Sequence, residues 1–456
     1  MTDNHPLIQG LPEFKSSRRQ FVKLFGAGAA IIATPGVLLA QTQPRLVKRR
    51  DIGAMADTDD TVQIFKDGVR LMKERSTRNP LDYLGWQMQG ATHAIFCSDA
   101  NIDLQVHYGW FFLPWHRGYL WNLEEKIRRL TGEASFALPY WDWTKRPRIP
   151  GAFFGENNPM EDGTRLYGPY DEIPADFLDL RGIVEAPVFH NFGGYNSARS
   201  NAPKIEGTLE NSSHNNVHNW IGGNMASFSG AGFDPIFYTH HNMVDRIWEI
   251  WKAHDSANNQ DPVDEEFLNY EFQFFGASGE VERYAVKDLL DSRKLGYEFD
   301  NLDVSYTLAE RDRPRLDGSL VPKLHSEIEV PADRLAQIRE IADGGTGRRV
   351  LLQFERMQVP LHPLCIRVFL NAPDADVSSA PDGPAFAGTF TLLPIGTNGR
   401  GLEPIVSLQL DVSKQVAALL KNGERLTVTA VPVPLRGRQI PAEPLQLERV
   451  SLSIDV

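Results

Sequence analysis

The stretch Asp234-Pro235-Ile236-Phe237-Tyr238-Thr239-His240-His241-Asn242-Met243-Val244-Asp245-Arg246-Ile247-Trp248 decides how the chain reads. It predicts a helix from about Pro235 to His254 carrying two adjacent imidazoles. His241 opens the turn His241-Asn242-Met243-Val244-Asp245, which makes Asp245, one turn along, a candidate outer acceptor for that ring. Upstream, His214-Asn215-Asn216-Val217-His218 places two imidazoles four residues apart, on one face of a helix that begins near Asn211. Farther upstream stand His93, His107 and His116, the last opening a helix that continues through Trp121 and Leu123. A single histidine among aromatics is more often a core residue than a ligand. Two groups of three are harder to explain that way.

Imidazole nitrogens suit copper, zinc, iron and nickel. Di-iron bundles need Glu-x-x-His pairs and metalloproteases need His-Glu-x-x-His, and neither spacing occurs in the sequence. An all-nitrogen, three-plus-three set fits a pair of copper ions that cycle between Cu(I) and Cu(II) and hold dioxygen between them.

The chain's 456 residues are 42% hydrophobic, enough to bury a full core over two or three domains. A formal charge of −12 with interspersed charges offers no basic footprint for nucleic acid. Two cysteines, Cys97 and Cys365, cannot build a disulfide framework. Ser17-Arg18-Arg19-Gln20-Phe21-Val22-Lys23, followed by an apolar run from Leu24 to Ala40, reads as a twin-arginine export signal over residues 1–40. The alternative is an N-terminal amphipathic helix that stays attached. Export by that route implies the twin-arginine machinery as a partner and a periplasmic or secreted destination. No later run is long enough for a stable membrane span.

Val62, Phe65, Val69 and Met72 recur at helical steps, as do Leu120, Leu123, Ile127 and Leu130. Residues 147–212 are rich in Gly, Pro, Asn and Asp and predict long loops over a helical core. Residues 307–326, with Arg311, Arg313, Pro314, Arg315, Gly318 and Pro322, read as a polar linker open to a protease. Beyond it, short alternating runs predict an antiparallel β-sandwich: Val350 to Phe354, Ile366 to Leu370, Thr389 to Leu392, Val406 to Val412, Leu426 to Val431 and Leu445 to Val456. The predicted organisation is a mainly α domain over 41–306, the linker, and a β-rich domain over 327–456.

Residues from about 90 to 250 resemble the tyrosinase and polyphenol oxidase family of dicopper proteins. The resemblance rests on the opening stretch, on His107-Tyr108-Gly109-Trp110-Phe111-Phe112-Leu113-Pro114-Trp115-His116-Arg117, and on Leu138-Pro139-Tyr140-Trp141-Asp142-Trp143. It implies a central helix bundle with His93, His107 and His116 on one copper and His214, His218 and His241 on the other. His240 is then structural or an outer neighbour. It also implies a thioether from Cys97 to His107; the alternative is a buried thiol acting as a small apolar residue. Phe228 matches a bulky gate above the second copper, or is simply a core aromatic. Glu210 and Asn215 match a pair that holds a water able to take a phenol's proton, although Glu210 could instead cap the helix carrying His214.

Asp291-Ser292-Arg293-Lys294-Leu295-Gly296-Tyr297-Glu298-Phe299 and Phe386-Ala387-Gly388-Thr389-Phe390 resemble plant-type members, whose β-rich C-terminal domain shields the metal site. The disulfide-forming cysteines of those plant proteins are missing, so their N-terminal clamp is not expected. The function implied is ortho-hydroxylation of monophenols and oxidation of o-diphenols to o-quinones, with phenols and dioxygen as partners. Alternatives are a catechol oxidase, a haemocyanin-like oxygen carrier, or a silent copper-binding protein, which would require a lost ligand.

Overall fold

The computed structural model describes residues 46–97, 106–195, 206–303, 323–342, 348–359, 364–381, 383–393, 405–420, 425–433 and 445–454. The chain divides into Met1–Pro44 and Arg45–Val456, and only the second unit contains described residues. The export signal expected over 1–40 lies outside them.

Helix α1 (Asp60–Arg78) starts where the Asp59 carboxylate accepts the Thr61 amide, and it buries Val62, Phe65, Val69 and Met72 along one stripe. That stripe lies against α3 (Phe112–Thr131), and Gly68 permits the approach, since a Cβ there would meet Ile127 Cγ1 at 2.8 Å. Helix α2 (Trp86–Cys97) carries His93. Helix α3 begins at Phe112, one turn earlier than the expected start at His116. Pro114 sits in that first turn, where a missing N–H costs no intrahelical bond, so the proline-containing approach is already helical. The helix stops at Gly132, whose φ of 79° suits only a residue without a Cβ. Glu210–His214 forms a π turn that runs directly into α4 (Asn215–Ile221). Helix α5 (Ile236–His254) packs on α3 and holds His241 in its interior, not at the opening of a turn.

Strand β1 (Val47–Arg49) will be seen to pair in parallel with a much later one. A hairpin of β2 (Glu271–Phe275) and β3 (Val281–Ala285) follows the helices, and β4 (Tyr297–Phe299) is the strand that β1 joins, with Lys48 opposite Glu298. Next in the chain come β5 (Leu324–Glu329), β6 (Val350–Gln358), β7 (Leu364–Leu370), β8 (Phe386–Leu392), β9 (Ile405–Asp411), β10 (Arg425–Val433) and β11 (Arg449–Ile454). They form two antiparallel sheets, ordered β5-β10-β7-β8 and β11-β6-β9. Buried Phe354 of one sheet meets Phe390 of the other at 5.1 Å between ring centroids, as in a sandwich core.

Six of these strands match the six alternating runs. Most of the linker expected over 307–326 lies outside the described residues, but its last three residues belong to β5. The alternation from Leu324 to Glu329 pairs with β10, a partner about a hundred residues away, and this outweighs the polar texture before it.

A buried ion network joins the helices to the β1–β4 ribbon. Arg49 Nε donates to Glu124 at 3.0 Å and its Nη1 to Asn242 at 2.8 Å and Asp245 at 3.3 Å. Asp245 also accepts from Arg117 Nε and from the Tyr297 hydroxyl, each at 2.6 Å. The expectation that Asp245 serves His241 is therefore corrected: the carboxylate faces two guanidiniums, whose full charges outcompete a neutral ring for it. Removing one partner of such a buried cluster leaves uncompensated charge. Asp245→Ala is expected to lower the unfolding free energy by about 3–5 kcal/mol, read by denaturant titration; a loss within experimental error of zero would contradict the network's role.

Candidate dicopper centre

Burial brings two groups of side chains together: His93, Cys97, His107 and His116 in one, and His214, His218, His240 and His241 in the other, the ligand atoms of each lying within 4.8 Å of one another. The six expected ligands are all at most 3% exposed. The groups adjoin, for the His116 and His241 rings stack at 4.2 Å and 17°. The close fit around His93 depends on Gly232, where a Cβ would come within 2.8 Å of the His93 Cβ.

The outer hydrogen bonds fix which nitrogen is available in five of the six rings. His93 Nδ1 lies 2.9 Å from the Phe228 carbonyl, His116 Nδ1 2.8 Å from the Phe112 carbonyl and His218 Nδ1 2.7 Å from the Met225 carbonyl. His107 Nδ1 lies 2.6 Å from Glu210 Oε1, and His214 Nδ1 2.8 Å from Asn215 Oδ1. A carbonyl or carboxylate oxygen only accepts, so Nδ1–H donates in each pair and Nε2 keeps its lone pair. Burial pulls His93 down to about 3, with the His218 ring adding to it, and His218 down to about 4. His116, His214 and His241 are lowered first by burial and then by neighbouring rings. Burial thus favours the neutral form of these five rings, the form that binds a metal.

In the second group, His241 Nε2 lies 3.2 Å from His214 Nε2 and 3.0 Å from His218 Nε2. Imidazole nitrogens about 2.0–2.1 Å from a first-row ion, subtending about 95–110°, would be separated by about 3.0–3.4 Å. Those nitrogens thus already stand at ligand spacing. His240 stacks on His214 at 5.4 Å and 18°, a neighbour packed against the group. The donor set, neutral imidazole without a carboxylate, fits copper.

The other expected residues lie at the site with altered roles. Phe228 is buried, but its ring lies on His107 at 4.4 Å and on Tyr108 at 5.9 Å, so it covers the first group and not the second. The carbonyl bond to His93 draws its segment that way. Glu210 is the first residue of the π turn, whose N-cap position is Leu209, and its carboxylate takes His107 Nδ1 and the Tyr108 amide. Asn215, expected beside Glu210 on a shared water, binds His214, Glu206 and the Thr391 carbonyl. Cys97 and Cys365 are buried and no disulfide joins them. Sequence reasoning missed Glu206 and Thr391, which have no motif spacing. It also passed over Phe237, which stacks on His241 at 4.0 Å and stands inside the quoted stretch.

Paired, buried, all-imidazole groups on a helical core define a dinuclear copper oxidoreductase. The sequence matches the common central domain of tyrosinase over residues 83–192 and 172–254, and the polyphenol oxidase middle domain over 261–311. It is similar to the chloroplastic (+)-larreatricin hydroxylase of Larrea tridentata, at 27% identity over 86% of this chain and 76% of the relative. It is also similar to the chloroplastic catechol oxidase B of Solanum tuberosum, at 28% over 88% and 76%. Latent apple tyrosinase shares the fold with a TM-score of 0.72 at 21% identity, over 94% of this chain and 99% of that one. The chain thus carries a tyrosinase-type central domain followed by a polyphenol oxidase middle domain.

His240 and His241 separate by metal content. His241→Ala is expected to reduce the purified protein from two copper atoms per chain to about one, whereas His240→Ala retains both, as measured by elemental analysis. The reverse pattern would move the ligand to His240.

Proposed function

We propose that His93, His107 and His116 hold one copper and His214, His218 and His241 the other, and that the enzyme ortho-hydroxylates monophenols and oxidises o-diphenols to o-quinones. The observation that carries this is the convergence of six buried imidazoles, five of them tethered through Nδ1, into two adjoining groups. The copper pair supplies the redox chemistry that activates dioxygen when bound. The chain supplies geometry and a dry, aromatic setting: Phe112 lies 4.8 Å from His116 and 4.7 Å from His214, and Phe237 lies 4.6 Å from His93. Phe228, over His107, acts as the bulky wall against which a phenol ring orients.

Glu210 has two consequences of one position. Its carboxylate orients His107, as carboxylates do behind metal-bound imidazoles. It is also the proton acceptor for an incoming monophenol, whose pKa near 10 otherwise leaves little phenolate at neutral pH. Asn215, engaged with His214, leaves that role with Glu210. A catechol oxidase is the second reading, because an o-diphenol does not require this step and one relative bears that name.

Cys97 is proposed to form a thioether with His107, supported by their shared buried group; dioxygen would take up the two electrons and two protons released from the S–H and ring C–H bonds, leaving the crosslinked chain lighter by two hydrogen atoms. The β-rich region, 327–456, is proposed to cover the site, supported by the packing of β8 on α4. For localisation we propose twin-arginine export to the periplasm or exterior, from Arg18 and Arg19. Relatives are named as chloroplastic, and among the described residues no helix is long and apolar enough to cross a membrane.

Oxygen uptake with tyrosine and with a catechol tests the reading. Wild type is expected to consume oxygen with both, and Glu210→Gln to lose about 10²-fold on tyrosine and markedly less on catechol. Equal losses would remove the proton-accepting role, and uptake on catechol alone by wild type would make the enzyme a catechol oxidase.

A further inference from the structure

Four fully buried side chains connect the C-terminal sheet to the second group of histidines. Asn215 Nδ2 donates to Glu206 Oε1 at 2.8 Å and to the Thr391 carbonyl at 3.0 Å, while Asn215 Oδ1 accepts from His214 Nδ1 at 2.8 Å. Thr391 continues the connection: its hydroxyl donates to Asn216 Oδ1 at 2.6 Å, and Asn216 Nδ2 reaches the Phe177 carbonyl at 3.4 Å. Thr391 lies in β8, the edge strand of its sheet, paired with Cys365 of β7. Glu206, Asn215, Asn216 and Thr391 are each at most 2% exposed.

An asparagine amide can be turned over, exchanging its oxygen and nitrogen, and its partners decide which way it stands. Glu206 does not decide it. Burial pushes that carboxyl up to about 8, so at neutral pH it is largely protonated and could either accept or donate. Thr391 does decide it, because a backbone carbonyl only accepts. With the amide reversed, Oδ1 would face the Thr391 oxygen and the NH₂ would face His214 Nδ1–H, costing two hydrogen bonds in a dry site. His214 Nδ1 would then keep only its longer approach to the Glu210 carbonyl, at 3.4 Å, a weaker hold on the tautomer that leaves Nε2 available.

We infer that Thr391 and Glu206 are positioning residues for the second metal: the Thr391 carbonyl sets the orientation of the Asn215 amide, Glu206 supplies the second partner that holds the amide in place, and His214 Nε2 is thereby aimed into the group, so the β-rich region is a working part of that site as well as a cover. The inference rests on His214 being a copper ligand. It gives the sheet a function opposite in sense to shielding, since loosening β8 weakens retention of one of the two ions.

The test is copper release from the reduced holoenzyme into a strong Cu(I) chelator, followed by absorbance. Wild type is expected to release two coppers per chain slowly. Glu206→Leu, which leaves one amide hydrogen without an acceptor, is expected to release one of the two about 10-fold faster and the other at the wild-type rate. Glu206→Gln keeps an acceptor and is expected to restore the wild-type trace. Thr391→Val, which keeps the shape but removes the donor to Asn216, is expected to speed the same copper by about 3-fold, a fraction of the effect of losing a direct partner.

In a His241→Ala background, which retains the first copper, Glu206→Leu is expected to leave release unchanged. Wild-type release from both Glu206→Leu and Thr391→Val would overturn the inference, as would equal acceleration of both coppers. Should Glu206→Leu fail to fold by circular dichroism, Thr391→Val decides alone. A wild-type chain that binds fewer than two coppers would instead overturn the dicopper assignment, so the two failures are distinguishable.

Discussion

Five hydrogen bonds from imidazole Nδ1–H groups to oxygen acceptors carry the rest of this structure. Four pieces of backbone fix the five acceptors: the first turn of α3 for His116, the segment before α5 for His93 and His218, the π turn for His107 and the start of α4 for His214. A neutral imidazole has one donor and one acceptor, so committing Nδ1 commits Nε2. The helices could pack in much the same way around six differently turned rings, and no metal would bind them. The outer bonds convert buried histidines into ligands.

Burial does two things at once. It keeps the rings neutral, which metal binding needs, and it makes every unpaired polar group expensive. The molecule answers the second consequence with buried networks: Arg49, Arg117, Glu124, Asp245 and Tyr297 behind the helices, and Glu206, Asn215, Asn216 and Thr391 between α4 and the sheet. The first joins α3 and α5 to β1 and β4, and so sets the distance between the helices that carry His116 and His241. The second joins the helix of His214 and His218 to β8. The ion network thus braces a helix from each histidine group, whereas the contact with the β-rich region braces only the second.

Much of the architecture was legible in the chain because local pattern and tertiary environment agree. The helical periodicity of Val62, Phe65, Val69 and Met72 becomes the buried stripe of α1, and six alternating runs become strands. Pattern misled where a distant partner decided the outcome. Leu324 to Glu329 became a strand only through pairing with β10, and Asp245 left His241 because Arg49 and Arg117 arrive from remote segments. Phe228 was assigned to the wrong histidine group for a similar reason, since the ring it covers stands more than a hundred residues earlier.

The sequence by itself determined the inventory: six histidines at two sets of spacings, helices to carry five of them or lead into them, no carboxylate at ligand spacing, and therefore copper. Side-chain type and local periodicity suffice for that, because both are properties of neighbouring residues. Only the tertiary structure decided which nitrogen is available in five of the six rings, that Glu210 stands behind His107, and that Glu206 and Thr391 stand behind His214. Those facts depend on donors and acceptors meeting in a water-free interior across large sequence separations, where no spacing rule reaches and each polar atom must find whatever partner the packing brings.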